Sequence, residues 1–179
     1  MDDSFVNASE INSDRVYALV EAIYGNSVYF SDSFKNKFPT LENFNGFVKL
    51  FSSVPGSHFY LVSAGSDLAG YVQIERRSEI NLAHTGYLNL GVHPAFQKRG
   101  LGKKLLQKAW QLIEADGYIE IVYLMVRSDN LPAIKLYDHS GFEKIALLPS
   151  DTKTTDGKYY DGVLMRKYTK CFSKHECLA

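Results

Sequence analysis

The stretch from Tyr87 to Trp110 constrains this chain most: Y-L-N-L-G-V-H-P-A-F-Q-K-R-G-L-G-K-K-L-L-Q-K-A-W. Tyr87–Val92 is a short run of strand formers, stopped by His93-Pro94. Gln97-Lys98-Arg99-Gly100-Leu101-Gly102 follows as a basic, glycine-bearing turn. Apolar residues then recur at Leu101, Leu105, Ala109 and Leu112, the spacing of one helix face. The segment therefore reads as strand, cationic turn, helix.

That order builds an anion site. The first backbone N–H groups of a helix lack partners within it and carry the positive end of its dipole. Gly100 and Gly102 let a ligand approach the backbone without a Cβ in the way. Lys98, Arg99, Lys103 and Lys104 add positive charge at the same end. The expected ligand is a phosphate or pyrophosphate. Two common phosphate loops fail at identifiable positions. A dinucleotide-type G-x-G-x-x-G needs glycine where Leu105 stands, and a nucleoside-triphosphate loop needs glycine at Gln97 and Ser or Thr at Lys104. A basic turn with no ligand is the plain alternative.

The turn resembles instead the Q/R-x-x-G-x-G/A signature of the GCN5-related N-acetyltransferases (the GNAT superfamily), which binds the pyrophosphate of acetyl-coenzyme A. Asn130-x-x-Ala133-x-x-x-Tyr137-x-x-x-Gly141-Phe142 is a second match to the same superfamily, in the right order. Asp156-Gly157-Lys158-Tyr159-Tyr160-Asp161 with Met165 is similar to an ending common among bacterial members that acetylate small amines. The resemblance covers roughly residues 58–167 and implies an α/β (α+β) fold. Its central sheet would be mixed, mostly antiparallel, with a splayed parallel strand pair and about four flanking helices.

The resemblance also implies a set of roles. Leu90, Gly91 and Val92 would offer backbone to the pantetheine arm, with the Val92 N–H facing the thioester oxygen. Gln97, Lys98, Arg99, Gly100, Leu101, Gly102 and Lys103 would hold the pyrophosphate. Asn130, with Ala133 of the same motif, would hold the cofactor arm. Tyr137 would protonate the departing thiolate, since a phenol is a sensible donor to it. A helix tyrosine packed on the sheet is the ordinary alternative for Tyr137. Glu75 is the candidate base and Gln73, on the same strand face, an orienting group; Glu79, His84 and Asp32 are fallbacks. The expected activity is acetyl transfer from acetyl-CoA, with no metal, to a primary amine of a small molecule by direct attack in a ternary complex. Acetylation of a protein N-terminus or lysine is the alternative, and a non-catalytic acetyl-CoA-binding module is the reading of another class.

Composition bounds the rest. At 179 residues the chain suits one domain: acceptor-side helices in 1–57, sheet and cofactor core in 58–168, and a tail in 169–179. A formal net charge of zero argues against a nucleic-acid partner. No apolar run is long enough to span a bilayer, and the acidic start lacks the order of a signal peptide, so a cytoplasmic location is expected. Cys171 and Cys177 flank His175 too sparsely for a metal site and read as reduced thiols. A homodimer is compatible with the family but nothing in the sequence requires it.

Read in order, the chain begins with an edge strand near Phe5-Val6. A helix from Arg15 to about Tyr24 follows, capped by Ser13-Asp14 and buried through Val16, Leu19, Val20 and Ile23. A second helix runs from Leu41 to Phe51, with Phe44, Phe47 and Phe51 facing the core. Tyr29, Phe30 and Phe34 lie in the connection, and Tyr29 and Phe30 are candidate acceptor-pocket residues. His58–Ala64 and Ala69–Arg76 form a hairpin. A third strand runs from near Ala83 to Val92, and Gly91 marks a bulge or a close backbone approach. Ile119–Arg127 reads as a buried strand parallel to it. A helix from Asn130 to Gly141 and a hairpin of Phe142–Leu148 with Lys158–Lys167 complete the order.

Overall fold

The computed structural model describes residues 3–170 and 172. The reduced thiols expected at Cys171 and Cys177, and His175 between them, lie outside the described residues. Seven strands form one sheet in the order β1-β2-β3-β4-β5-β7-β6. They are β1 (Asp3–Asn7), β2 (His58–Ala64), β3 (Asp67–Arg76), β4 (Thr85–Val92), β5 (Ile121–Arg127), β6 (Glu143–Lys153) and β7 (Tyr159–Tyr168). Every neighbouring pair is antiparallel except β4 and β5. The helices are α1 (Ser13–Gly25), α2 (Phe34–Lys37), α3 (Leu41–Ser53), α4 (Leu101–Asp116) and α5 (Leu131–His139). The expected mixed sheet with one parallel pair is the one observed.

The strand period sorts side chains onto two faces. Val72, Ile74 and Leu88 pack with Leu101, Leu105, Ala109 and Ile113 of α4, and with Ile134 and Tyr137 of α5, in one core. Tyr71 and Phe59 pack on the other face with Val16, Leu19, Val20 and Ile23 of α1 and with Phe34, Phe38, Phe44 and Phe51. The expected stripe of α1 is buried as read. The stripe of α4 ends on the buried Ile113, with Leu112 only half-buried, because Leu106 and Ile113 lie on the face with Leu101, Leu105 and Ala109 and turn its centre away from Leu112.

Several boundaries move. Asn12 caps α1 by accepting from the N–H groups of Asp14 and Arg15, so the cap lies one residue before Ser13-Asp14. A fifth helix, α2, starts at Phe34 inside the stretch read as a connection, and buries that ring in the aromatic core. Four residues are too few to show a helical period. Ile80–Leu82 form a 3-10 turn, so β4 begins at Thr85 and not near Ala83. Pairing through Gly91 is unbroken, which removes the bulge there. A Cβ at Gly91 would instead stand 2.7 Å from both Ile23 Cγ2 and Tyr71 Cε1, so the close approach is by side chains. β6 continues past Leu148 to Lys153 through a register shift.

Candidate active site

The sheet forks between its parallel strands. β4 and β5 pair only at Thr85↔Ile121, Gly86↔Val122 and Tyr87↔Tyr123. Beyond that point β4 runs on to Val92 and β5 to Arg127 with no ladder between them. The His93 N–H donates to the Ala69 carbonyl of β3 at 2.9 Å. Alternate residues of an antiparallel strand point to the same edge, so the N–H groups of Leu90 and Val92 point to the opposite one, into the fork. Gln97 Nε2 donates to the Val92 carbonyl at 3.1 Å and ties the following turn to the strand end. A cleft of about 790 Å³ fills the fork. Beneath it the Tyr71 hydroxyl is buried without a hydrogen bond of acceptable geometry. Burial, and then the neighbouring Tyr24, hold its pKa well above the ordinary phenol range.

At one end of the cleft lies the cationic turn. Lys98 and Gly100 both take left-handed backbone, at φ 60 and φ 78. Gly100 is the N-cap of α4 and brings no side chain to the helix start. The N–H groups of Leu101, Gly102 and Lys103 are therefore left for a ligand, together with the helix dipole. Gln97, Lys98, Gly100, Leu101, Gly102 and Lys103 all line the cleft. Two of the expected cations do not. The Arg99 guanidinium leans over the Phe96 ring, 5.1 Å from its centroid, and Lys104 is ion-paired with Asp3 on β1. Positive charge at this end of the cleft comes from Lys98 and Lys103.

Helix α5 forms the facing wall. Asn130 caps it, its Oδ1 accepting from the Ala133 N–H at 3.3 Å, which leaves the side-chain NH2 for any ligand. Asn130, Ala133 and Tyr137 all line the cleft. Tyr137 is 8% exposed and packs edge-on against Phe142. Burial pushes its phenol up to about 12, so it carries its proton at neutral pH.

The other end of the cleft meets the exposed face of the sheet. Across β3 and β4, Gln73 pairs with Asn89 and Glu75 with Tyr87, and all four border the cleft. The Glu75 carboxylate is exposed, and no hydrogen bond or ion pair reaches it among the described residues. Tyr29 and Phe30 form a side wall, with Phe30 stacked on Tyr24 at 3.9 Å between centroids. None of the three fallback groups borders the cleft. Glu79 is paired with Arg77, which lowers its pKa, Asp32 accepts from the Ser33 N–H, and His84 lies at the start of β4, before the fork.

Sequence reasoning missed Arg127. Its guanidinium forks onto Asp129 at 3.0 and 2.7 Å and donates to the Val28 carbonyl at 2.6 Å. It also lies 3.7 Å from the centre of the Tyr160 ring. This clasp ties the segment before Tyr29 to the end of β5. An arginine closing an otherwise apolar strand, two residues before an aspartate, was the available signal. Met125, Asp151 and Thr152 also border the cleft without having been foreseen.

Comparison with known proteins agrees with this architecture. The chain is 33% identical over 93 residues to the N-alpha-acetyltransferase RimI of Mycobacterium tuberculosis, covering 52% of this chain and 56% of that protein. It is 40% identical over 80 residues to the ribosomal protein bS18-alanine N-acetyltransferase of Haemophilus ducreyi, covering 45% and 54%. The chain thus spans just over half the length of these curated relatives. A crystal structure of an acetyltransferase of the GNAT family from Streptococcus pneumoniae superposes with a TM-score of 0.87 at 22% identity, over 93% of this chain and 99% of that one. Residues 21–142 match the sequence model of the Acetyltransferase (GNAT) family, and the chain belongs to that family.

Proposed function

We propose that the protein is an acetyl-CoA-dependent N-acetyltransferase whose acceptor is the α-amine of a protein N-terminus. The observation that carries it is the continuous cleft through the fork, with free amides and a cationic turn at one end and an unpaired carboxylate at the other. These residues fit the donor: Leu90 and Val92 offer free main-chain groups to an amide-bearing arm, and the α4 N-terminus with Lys98 and Lys103 suits a diphosphate. When bound, acetyl-CoA supplies an activated acetyl thioester. Tyr137 holds a proton on its phenolic oxygen at the cleft wall, within the region where a sulfur has to leave as a thiol. The Val92 N–H is a fixed donor available to an oxygen gaining negative charge, a type of contact worth about 3 kcal/mol in a dry site. Glu75 is free to take a proton from an ammonium directly or through water.

Two observations favour a peptide acceptor over the small amine expected from the sequence. Of the aromatic residues between 29 and 51, Phe34, Phe38 and Phe44 are buried in the core away from the cleft, which keeps Tyr29, Phe30, Phe47 and Phe51 on one wall and does not close over the acceptor end. The acceptor mouth is instead open, with Tyr87 46% and Met125 44% exposed on its rim. The relatives named for bS18-alanine acetylation point the same way. A small free amine is the second reading, supported by the Tyr29 and Phe30 wall. A thiol-release assay with acetyl-CoA separates them. Peptides with a free alanine N-terminus should be turned over, and their N-acetylated forms should not. Turnover confined to free amines would overturn the peptide reading, and tight acetyl-CoA binding with no turnover on either panel would favour the non-catalytic module.

A further inference from the structure

The hairpin of β6 and β7 is built to deliver one carboxylate. Leu148 pairs with Gly162 and Thr152 with Tyr160, so Pro149, Ser150 and Asp151 stand opposite Asp161 alone. Bulges of this kind bend a strand and re-aim its side chains, and they recur beside active sites. Pro149 has no N–H to give a regular ladder. Ser150 is held at φ 56, a left-handed conformation that a serine adopts only when its surroundings impose it. What imposes it is Asp161, whose Oδ1 accepts from the Ser150 N–H at 2.9 Å. Gly162 completes the device: a Cβ there would stand 2.7 Å from Asp151 Oδ2, in the space the carboxylate occupies. The outcome is that Asp151 borders the acceptor end of the cleft.

The charges at that mouth are unbalanced. Arg127 is committed to Asp129 and the Val28 carbonyl. Lys37, on the far wall, bonds the Tyr24 hydroxyl at 3.5 Å and lies over the Phe38 and Phe47 rings. Among the described residues neither Glu75 nor Asp151 has an ion-pair partner. Glu75 sits with the proposed proton-transfer groups, which leaves Asp151 as a fixed negative charge without a task.

We propose that Asp151 is a specificity-determining residue that selects acceptors bearing a second positive charge close to the reacting amine. On the N-terminal reading above, on which this rests, that charge is a lysine or arginine directly behind the acetylated residue. A carboxylate held at a half-wet mouth discriminates by Coulomb attraction and by charge-assisted hydrogen bonding.

The test compares kcat/KM at saturating acetyl-CoA for two matched acceptor pairs: peptides beginning Ala-Lys or Ala-Gln, and putrescine or butylamine. The wild-type chain should prefer the dicationic member of whichever pair it acetylates. Asp151→Asn should cut that preference about fivefold, the scale of one solvent-exposed ion pair, and Asp151→Lys should reverse it. Gly162→Ala, which displaces the carboxylate without removing it, should behave like Asp151→Asn. A wild-type enzyme indifferent to the second charge, or an Asp151→Asn variant that keeps the full preference, overturns the proposal. Refusal of both peptides alongside a putrescine preference that Asp151→Asn abolishes would sink the N-terminal reading while leaving the role of Asp151 standing.

Discussion

Tyr137 and Glu75 sit at opposite environments of one cleft, and their chemistry follows from that difference. The phenol is buried and its pKa is raised to about 12, so it is a proton donor throughout the neutral range. Replacing it by phenylalanine should lower kcat about tenfold or more while acetyl-CoA affinity stays near its wild-type value; single-turnover rates and calorimetric titration read the two separately. The same burial has a stability consequence. The folded-state pKa lies above the ordinary phenol value, so the contribution is intact below about pH 10 and is lost as pH rises to about 12. Denaturation curves across that window should show Tyr137→Phe sparing about 2–3 kcal/mol of the alkaline decline. Tyr71 acts in the same direction. The identity of Tyr137 as a cleft residue was legible, because a motif spacing set it on one helix face. That Arg99 and Lys104 turn away from the cleft was not: Arg99 lies over the Phe96 ring and Lys104 pairs with Asp3 on β1, a partner that sequence spacing does not announce.

The strand, turn and helix around Gly100 form the element on which ligand binding should depend most steeply. Gly102 faces Leu136 across the gap between α4 and α5, and a Cβ there would already be 3.0 Å from Leu136 Cδ2. Gly102→Leu should therefore weaken acetyl-CoA binding at least tenfold by filling the gap, with the thermal midpoint little changed. Gly100→Val should cost affinity by another route, since a β-branched residue at φ 78 is strained by about 1–2 kcal/mol and will pull the turn out of shape. Normal acetyl-CoA affinity in both variants, measured by titration calorimetry, would remove this turn from the binding site. At the scale of elements the sequence was informative wherever a period ran long enough. Helices α1, α3, α4 and α5 and most strands stand where alternation and 3.6-residue spacing put them. The four-residue α2 and the bulge in β6 escaped, the first for want of a period. The second escaped because residues of the partner strand, Asp161 and Gly162, determine it rather than the local run Pro149-Ser150-Asp151.

The whole molecule is one sheet serving two cores, and the partition separates the two halves of the proposed reaction. The α4 and α5 layer carries the cationic turn and Tyr137, while the α1 to α3 layer backs Gln73 and the Tyr29 wall. Phe44 sits fully buried at the centre of the second layer, touching Tyr17, Phe34, Phe38 and Phe47 edge-on or tilted. Phe44→Ala should destabilise the chain by about 3–5 kcal/mol in chemical denaturation. The two-faced burial of β3 was legible from its alternation, and so was the parallel relation of β4 and β5. Where these strands stop touching was not, since no side chain between Leu88 and Val92 announces it. That silence has an evolutionary corollary. On the proposed binding mode, a seam left half unzipped would hold its ligand through peptide groups that every residue except proline possesses. Drift among apolar side chains at positions 90 and 92 can therefore proceed without eroding recognition, whereas a single proline at either would delete a contact outright.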